Sequence, residues 1–507
     1  MDKPAYGSND PIAAIATPLG ESALALIRTS GGSFAGSTGG NCNTANNDSN
    51  SVNLLAKIFS KPKRLKEAAG NTIIHGWILG SQGEKIDEVL VSVYRAPKSY
   101  TGEDSADISC HGGIAVVKAI MAALKQAGFR EALPGEFTFR AFMNGKLDLT
   151  RSESVMELVS AKTGKAREQA IRRLTGALEK ELSEIKALLV RVLVGAEIYL
   201  DYSEDEFNSP DEEAKGLLPD RPLAEEALAR LSRLADSWRR ERLYTEGALA
   251  VIAGRPNAGK SSLFNFLLKE DRSIVTDIPG TTRDWIEALI SIEDIPVRLA
   301  DTAGLRDIID RNGQKAAVTD KVELIGIARS QELLSRADIV LYVIDGAAGI
   351  TEEDREFLRH CDKDGNKPVP LLILWNKADV SDLPHFLPAE LPGVPIGISA
   401  KTGKGIPELS RAIAGALEKA SGSNNSPGDT VSADQNSAGP GTLRQKELID
   451  NALASIREAL DLADTTEPLD IIAPLIKNAV DSLGEITGEV STAELLDLMF
   501  SRFCVGK

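Results

Sequence analysis

At 507 residues the chain is long for a single hydrophobic core, and about three domains are expected. A composition of 42% hydrophobic, 26% charged and 5% aromatic residues is that of an ordinary globular protein. The formal net charge of −16 excludes a protein that coats nucleic acid nonspecifically, because neutralising phosphates takes a surplus of Lys and Arg; a local basic patch stays compatible with it.

Along the chain, residues 1–143 mix short strand-like runs such as Glu88-Val-Leu-Val-Ser-Val-Tyr94 with a helix after Gly113, which predicts an α+β domain. The polar stretch from Gly31 to Asn53 is too poor in apolar residues to bury much and reads as a mobile loop. From 144 to 244 the period becomes helical, with Leu174, Leu178, Leu182 and Ile185 forming a stripe that reads as bundle core. Residues 245–420 alternate strands with helices, the pattern of a parallel sheet covered on both faces. A Ser/Asn/Gly-rich segment, 421–442, reads as a flexible linker, and 443–507 is again helical. The economical architecture is an all-α domain into which an α/β domain is inserted, with domain motion expected at the junctions.

Cys42, Cys110, Cys361 and Cys504 are far apart with no metal-binding C-x-x-C spacing, which predicts a reducing compartment. No leader pattern marks the first residues, and no apolar run approaches the ~20 residues of a membrane span. A cytoplasmic protein is expected. Lys61-Pro-Lys-Arg-Leu-Lys66 and Arg239-Arg240 are basic stretches that read first as solvated surface.

The most informative segment is Gly254-Arg-Pro-Asn-Ala-Gly-Lys260-Ser261, a complete G-x-x-x-x-G-K-S phosphate loop. The buried-strand run Leu249–Ala253 precedes it and an amphipathic helix beginning at Ser262 follows. That order aims backbone N–H groups and the positive helix end at one point. Lys260 is expected to reach the β- and γ-phosphates, and Ser261 to hold Mg²⁺. A glycine-rich turn with an incidental Lys-Ser would not come with this strand and helix.

Three further segments select the nucleotide. Asp301-Thr-Ala-Gly304 follows the strand-like Val297–Ala300, giving a carboxylate near Mg²⁺ and a glycine N–H facing the γ-phosphate. Asn376-Lys-Ala-Asp379 follows Leu371–Trp375, and its carboxylate can accept both N–H donors of guanine, whereas adenine offers an acceptor there. Ser399-Ala-Lys401 follows Val394–Ile398 and would pack on the base from the far side. Together they predict a Ras-like P-loop G domain. Its expected GTP contacts are Asn257, Ala258, Gly259, Lys260, Ser261 and Ser262; Thr276, Asp277, Ile278, Pro279, Gly280, Thr281 and Thr282; Asp301, Thr302, Ala303 and Gly304; Asn376, Lys377, Ala378 and Asp379; and Ser399, Ala400 and Lys401. Thr282 is the natural switch ligand for Mg²⁺ and the γ-phosphate.

Leu305 stands where Ras-type GTPases carry the glutamine that orients water. Either hydrolysis is nearly absent, or water positioning and charge neutralisation come from elsewhere. Asn257 and the segment Thr276–Arg283 could offer oxygen ligands to a monovalent cation beside the phosphates, which would act as an arginine finger does.

Three regions now converge. The G-domain motifs, the N-terminal Tyr100-Thr-Gly-Glu-Asp-Ser-Ala-Asp-Ile-Ser-Cys-His-Gly-Gly113 and the final Phe503-Cys-Val-Gly-Lys507 together resemble the MnmE (TrmE) family of bacterial tRNA-modification GTPases, within the TrmE-Era-EngA-YihA-Septin-like superfamily. Pro134-Gly-Glu-Phe-Thr-Phe-Arg-Ala-Phe142 and Gly145-Lys-Leu-Asp-Leu149 match as well, so the resemblance spans essentially the whole chain. It implies a tetrahydrofolate-binding and dimerising N-terminal domain, a helical domain and an inserted G domain. It also implies a homodimer that forms a heterotetramer with the FAD protein MnmG and acts on tRNA, installing a (carboxymethyl)aminomethyl group on C5 of the wobble uridine.

The resemblance implies K⁺ ligands at Asn257, Thr276, Ile278 and Thr281, and Mg²⁺ at Ser261 and Thr282. The matching stretch Asp320–Ile327 makes Glu323 the water-orienting residue, beside Lys260 in catalysis. A 5-formyl- or methylene-tetrahydrofolate is expected at Arg28, Asp107, Lys146 and Lys507, with Asp107 standing where the family usually has glutamate. Read alone, Arg28 and Lys146 are surface charges, and Cys504 is an inert terminal cysteine; the family motif makes Cys504 a thiol that takes part in modification. The competing class is a regulatory RNA-binding GTPase of the ribosome-assembly type. Such proteins usually follow the G domain with a basic module, whereas the segment here carries Asp461, Asp464, Glu467 and Asp470.

Overall fold

Burial alternates along Thr72–Leu79 and Lys85–Tyr94 but is unbroken along Ala248–Ala253 and Ile339–Ile344, which separates strands buried on one face from strands buried on both. The computed structural model describes residues 6, 10–32, 50–201, 218–270, 287–301, 333–361, 369–381, 393–422, 438–465 and 467–506. In chain order these give β1 (Ile12–Ile15), β2 (Ser22–Ser30), α1 (Ser51–Ala56), α2 (Pro62–Lys66), β3 (Thr72–Leu79), β4 (Lys85–Tyr94), β5 (Ser105–Gly112), α3 (Ile114–Ala127), β6 (Arg130–Glu131) and α4 (Glu136–Met143). Four helices follow: α5 (Leu149–Ser160), α6 (Gly164–Leu174), α7 (Ala177–Asp201) and α8 (Arg221–Thr245). Then come β7 (Ala248–Gly254), α9 (Lys260–Glu270), β8 (Glu287–Ile292), β9 (Ile295–Asp301), β10 (Ile339–Asp345), α10 (Glu352–Cys361), β11 (Leu371–Asn376), β12 (Ile396–Gly397) and α11 (Ile406–Ala420). The last helices are α12 (Leu443–Asp464), α13 (Leu469–Thr487) and α14 (Ala493–Phe500). The chain forms two compact units, one of Met1–Met156, Leu182–Leu193 and Ala473–Lys507, the other of Glu157–Glu181 and Val194–Ile472.

In the first unit a six-stranded sheet runs β3-β4-β5-β2-β1-β6, antiparallel except for β1 with β6. Ile74, Val91, Ile108 and Ile27 share its inner face and pack with Val52 and Leu55 of α1 and Ile120 and Leu124 of α3. On the opposite face Leu24, Ile73 and Leu90 are exposed. A separate aromatic cluster joins Tyr6, Phe139 of α4 and Phe500 of α14, with ring centroids 5.1–6.4 Å apart.

In the second unit the strand order is β12-β11-β10-β7-β9-β8, parallel except for the β8–β9 hairpin. Ala250, Ile252, Leu341 and Val343 face α9 and α11, whereas Leu249, Val251, Val340 and Tyr342 pack on the other side with Leu358 of α10. Burial on both faces explains why these strands read as continuous apolar runs rather than alternating ones.

Two expectations need correction. The Gly31–Asn53 stretch is not loop to its end. Asn50 caps α1 by accepting from the Asn53 N–H at 2.7 Å, and Ser51 and Val52 are buried. The expected core stripe is buried at Leu178, Leu182 and Ile185 of α7, while Gly176 at φ 93° leaves Leu174 on the preceding α6. The assigned linker 421–442 is not solvated at its far end: residues 438–440 are buried, and Thr442 caps α12. Packing against the fully buried Arg173, which reaches the Gly439 carbonyl at 3.3 Å, accounts for this burial. Residues 423–437 lie outside the described residues.

Candidate functional site

The nucleotide motifs among the described residues fall at the carboxyl ends of parallel strands, where an open α/β sheet presents its crevice. Gly254 ends β7, Asp301 ends β9 and Asn376 ends β11, while the Ser399–Lys401 segment follows β12. Register aligns Asp301 with Ile252 and Val343 with Gly254, so the motif residues share one edge.

Around the phosphate loop, Lys260 Nζ donates to the carbonyls of Gly254 and Arg255 at 2.8 and 2.9 Å. Ser261 Oγ donates to Asp301 Oδ2 at 2.9 Å. The expected contacts Asn257 and Ser262 are exposed and Ala258 is buried. Asn257 adopts φ 62° and Gly259 φ 99°, which curls the loop so that its backbone can face a ligand. A Cβ at Gly259 would lie 2.1 Å from Asn376 Nδ2, so only glycine fits.

The base loop is held just as closely. Asn376 Nδ2 donates to the Ala258 carbonyl at 2.8 Å, and its Oδ1 accepts from the Ala400 N–H at 3.1 Å. Ser399 Oγ donates to Asp379 Oδ1 at 2.7 Å, and this bond, with the backbone N–H and nearby Lys401 and Lys404, holds the Asp379 carboxyl below its ordinary pKa. Asp379 is therefore a carboxylate at neutral pH, as acceptance of two guanine N–H groups requires. The Ala378 N–H donates to the Ile398 carbonyl at 2.9 Å, fastening the loop to the end of the sheet.

Thr276, Asp277, Ile278, Pro279, Gly280, Thr281, Thr282, Thr302, Ala303, Gly304 and Glu323 lie outside the described residues, as does Lys507. The Ser261 hydroxyl and Asp301 carboxylate form the hard-oxygen pair that suits Mg²⁺ beside phosphate oxygens. Among the described residues no cluster of three His, Cys, Asp or Glu could hold a metal by itself.

Sequence reading missed two supports of this site. Asp345, at the end of β10, accepts from Lys377 Nζ at 2.6 Å. Its burial raises the carboxyl pKa, but Lys377 and the N–H groups of Ala347 and Ala348 outweigh that and lower it. Asp354 is fully buried and binds Arg255 of the phosphate loop. Both had a signal: an acidic residue ends the apolar run of β10, and Thr351-Glu-Glu-Asp354 has the spacing of a capping box.

In the first unit, Arg28 and Asp107 are direct cross-strand neighbours on β2 and β5, and Arg28 Nε donates to Asp107 Oδ1 at 3.1 Å. The short aspartate reaches because its partner stands directly opposite. Arg28 Cζ lies 5.6 Å from the Tyr100 ring centroid, and its Nη1 reaches the Gly506 carbonyl at 3.5 Å. The C-terminal segment thus meets the Arg28 end of the sheet. Cys504 is exposed there as a free thiol, its carbonyl accepting from the Gly135 N–H at 3.3 Å. Lys146 Nζ donates to the Pro97 carbonyl at 3.1 Å. Beneath α4, Arg140 bridges Glu103 and Glu136 at 3.1 and 2.9 Å, a buried network that sequence reading did not single out.

Asn376 links the Asn376–Asp379 loop directly to the Gly254–Ser261 loop, which brings the two expected nucleotide motifs to one edge of the sheet. That arrangement defines a Ras-like P-loop G domain. Outside it, residues 11–146 match the profile described as GTP-binding protein TrmE N-terminus, and residues 149–504 match that of the MnmE helical domain. The chain is 42% identical to the tRNA modification GTPase MnmE of Treponema denticola, covering 99% of both chains. It is 36% identical to the proteins of that name from Carboxydothermus hydrogenoformans and Geobacillus kaustophilus, covering 98% of this chain and 99% of each of them. The chain belongs to the MnmE family. No helix among the described residues is long and apolar enough to cross a membrane.

Proposed function

We propose that this chain is a K⁺-stimulated GTP hydrolase whose cycle drives modification of the wobble uridine of tRNA, in a cytoplasmic homodimer working with the flavoprotein MnmG. The observation that carries the reading is the Asn376–Ala258 bond, which joins guanine recognition at Asp379 to the loop bearing Lys260 and Ser261. The full-length similarity to tRNA modification GTPases, N-terminal domain included, favours this function over ribosome assembly.

In the proposed cycle Lys260 leaves the carbonyls of Gly254 and Arg255 for the β- and γ-phosphates. Ser261 and Thr282 hold Mg²⁺, with Asp301 accepting from the Ser261 hydroxyl. When bound, Mg²⁺ and K⁺ would supply positive charge to offset the negative charge developing on the phosphates. Asn257, Thr276, Ile278 and Thr281 are the K⁺ ligands of this reading, and Glu323 orients water because Leu305 has no polar group to do so.

The carbon-transfer half is proposed at the other unit, where Arg28, Asp107, Lys146 and Lys507 bind the tetrahydrofolate that supplies the carbon and Cys504 contributes its thiol. The Arg28–Asp107 pair beside Tyr100 suits a flat, polar heterocycle, and the exposed thiol on the same C-terminal segment supports the role of Cys504. The exposed Leu24, Ile73 and Leu90 on one sheet face support dimerisation there.

GTP hydrolysis measured in K⁺ and in Na⁺ buffers, for wild type and Glu323→Ala, tests the motor half. Faster turnover in K⁺ and a large loss in the variant are expected. Equal rates in both salts would remove the cation, and an unaffected variant would remove Glu323.

A further inference from the structure

Arg255 lies inside the phosphate loop, yet its side chain is bound to the start of α10. Its Nε lies 3.1 and 3.0 Å from the two carboxylate oxygens of Asp354, and its Nη2 donates to the Gly349 carbonyl at 3.3 Å. Asp354 is fully buried and also accepts from the Tyr342 hydroxyl at 2.9 Å, the Thr351 N–H at 2.8 Å and the Thr351 hydroxyl at 2.9 Å. Tyr342 stands on β10 opposite Ala253 of β7 and stacks on Phe357 of α10 with centroids 4.5 Å apart. One carboxylate thus ties together the loop, the neighbouring strand and the next helix.

The consequence for phosphate binding runs through the backbone. Arg255 opens the loop whose backbone curls at Asn257 (φ 62°) and Gly259 (φ 99°), so a displacement at Arg255 moves the backbone N–H groups on which phosphate binding rests. A buried ion pair by itself is weak evidence for stability, because desolvation offsets much of the attraction. Its geometry fixes position instead.

We propose that Asp354 is a positioning residue for nucleotide phosphates, acting through Arg255 to hold the phosphate loop in its binding shape without touching the nucleotide. This inference rests on the reading of that loop as the GTP site.

The test uses the full-length chain as wild type, Asp354→Asn, Arg255→Met and the double variant. Binding of a fluorescent GDP is competed with GDP and, separately, with guanosine, which has no phosphate. Each single variant is expected to weaken GDP by about tenfold and leave guanosine unchanged, with the double variant no weaker than the weaker single. Steady-state hydrolysis should show a KM for GTP raised by a similar factor. Arg255→Met keeps the test decisive if Asp354→Asn does not fold. GDP affinity within twofold of wild type in Arg255→Met, or an equal loss for GDP and guanosine, would overturn the proposal. A wild-type protein that bound no GDP would overturn the site reading and this inference with it.

Discussion

The Asn376 carboxamide donates to the Ala258 carbonyl at 2.8 Å, so the loop that reads the base is bonded directly to the loop that holds the phosphates. Both groups are buried, and Asn376 also accepts from Ala400. Asn376→Ala would leave a buried carbonyl and a backbone N–H without their partner, at about 1–3 kcal/mol. GDP affinity by fluorescence titration should therefore fall roughly 5- to 150-fold. Unchanged affinity would mean that the two loops keep their places independently.

Asp379 is held as a carboxylate by Ser399, and guanine offers it two donors. Asp379→Asn keeps the size but replaces one acceptor by a donor, which clashes with a guanine N–H and matches the C2 carbonyl of xanthine. GTP hydrolysis at low substrate should fall by about 100-fold or more, while xanthosine triphosphate becomes the better substrate. Competition between the two nucleotides measures it, and retained GTP preference would contradict the assignment.

Glu136 is buried between Arg130 and Arg140 at 2.8 and 2.9 Å. Burial raises its pKa, but Arg130, the Leu133 N–H and Arg140 together lower it below the ordinary value. A depressed folded-state pKa contributes stability that is present above the unfolded value of about 4.3 and lost as pH falls through the folded one. Glu136→Gln should cost about 3–5 kcal/mol at pH 7 and flatten the loss below about pH 5. Thermal unfolding from pH 7 to pH 3 reads both effects; parallel curves for the two proteins would rule out this linkage.

A Cβ on Gly441 would sit 2.1 Å from Glu157 Oε1 and 2.7 Å from Arg173 Nε. Both side chains are buried and bonded to each other at 2.7 Å, so neither can yield cheaply. Gly441→Ala should destabilise by about 1–3 kcal/mol, read by urea unfolding. A neutral substitution would show that this end of the low-complexity segment does not depend on the close approach.

The α+β and parallel-sheet characters of the two strand regions, the helical flanks and the nucleotide class were legible in the residues alone. These depend on local pattern: apolar runs for strands buried on both faces, a glycine loop before Lys260 and a carboxylate four residues into Asn376–Asp379. What fastens these pieces emerges in the folded chain, because each fastening joins residues far apart in sequence. Asn376 meets Ala258, Arg28 meets Asp107 and the C-terminal Gly506, and Arg255 meets Asp354. Composition also misjudged residues 438–440, since a Ser/Asn/Gly-rich segment reads as flexible linker until a buried arginine is found to bind the Gly439 carbonyl. Hydrogen bonding of that kind leaves no periodic trace in sequence, whereas solvent exclusion along a strand or helix does.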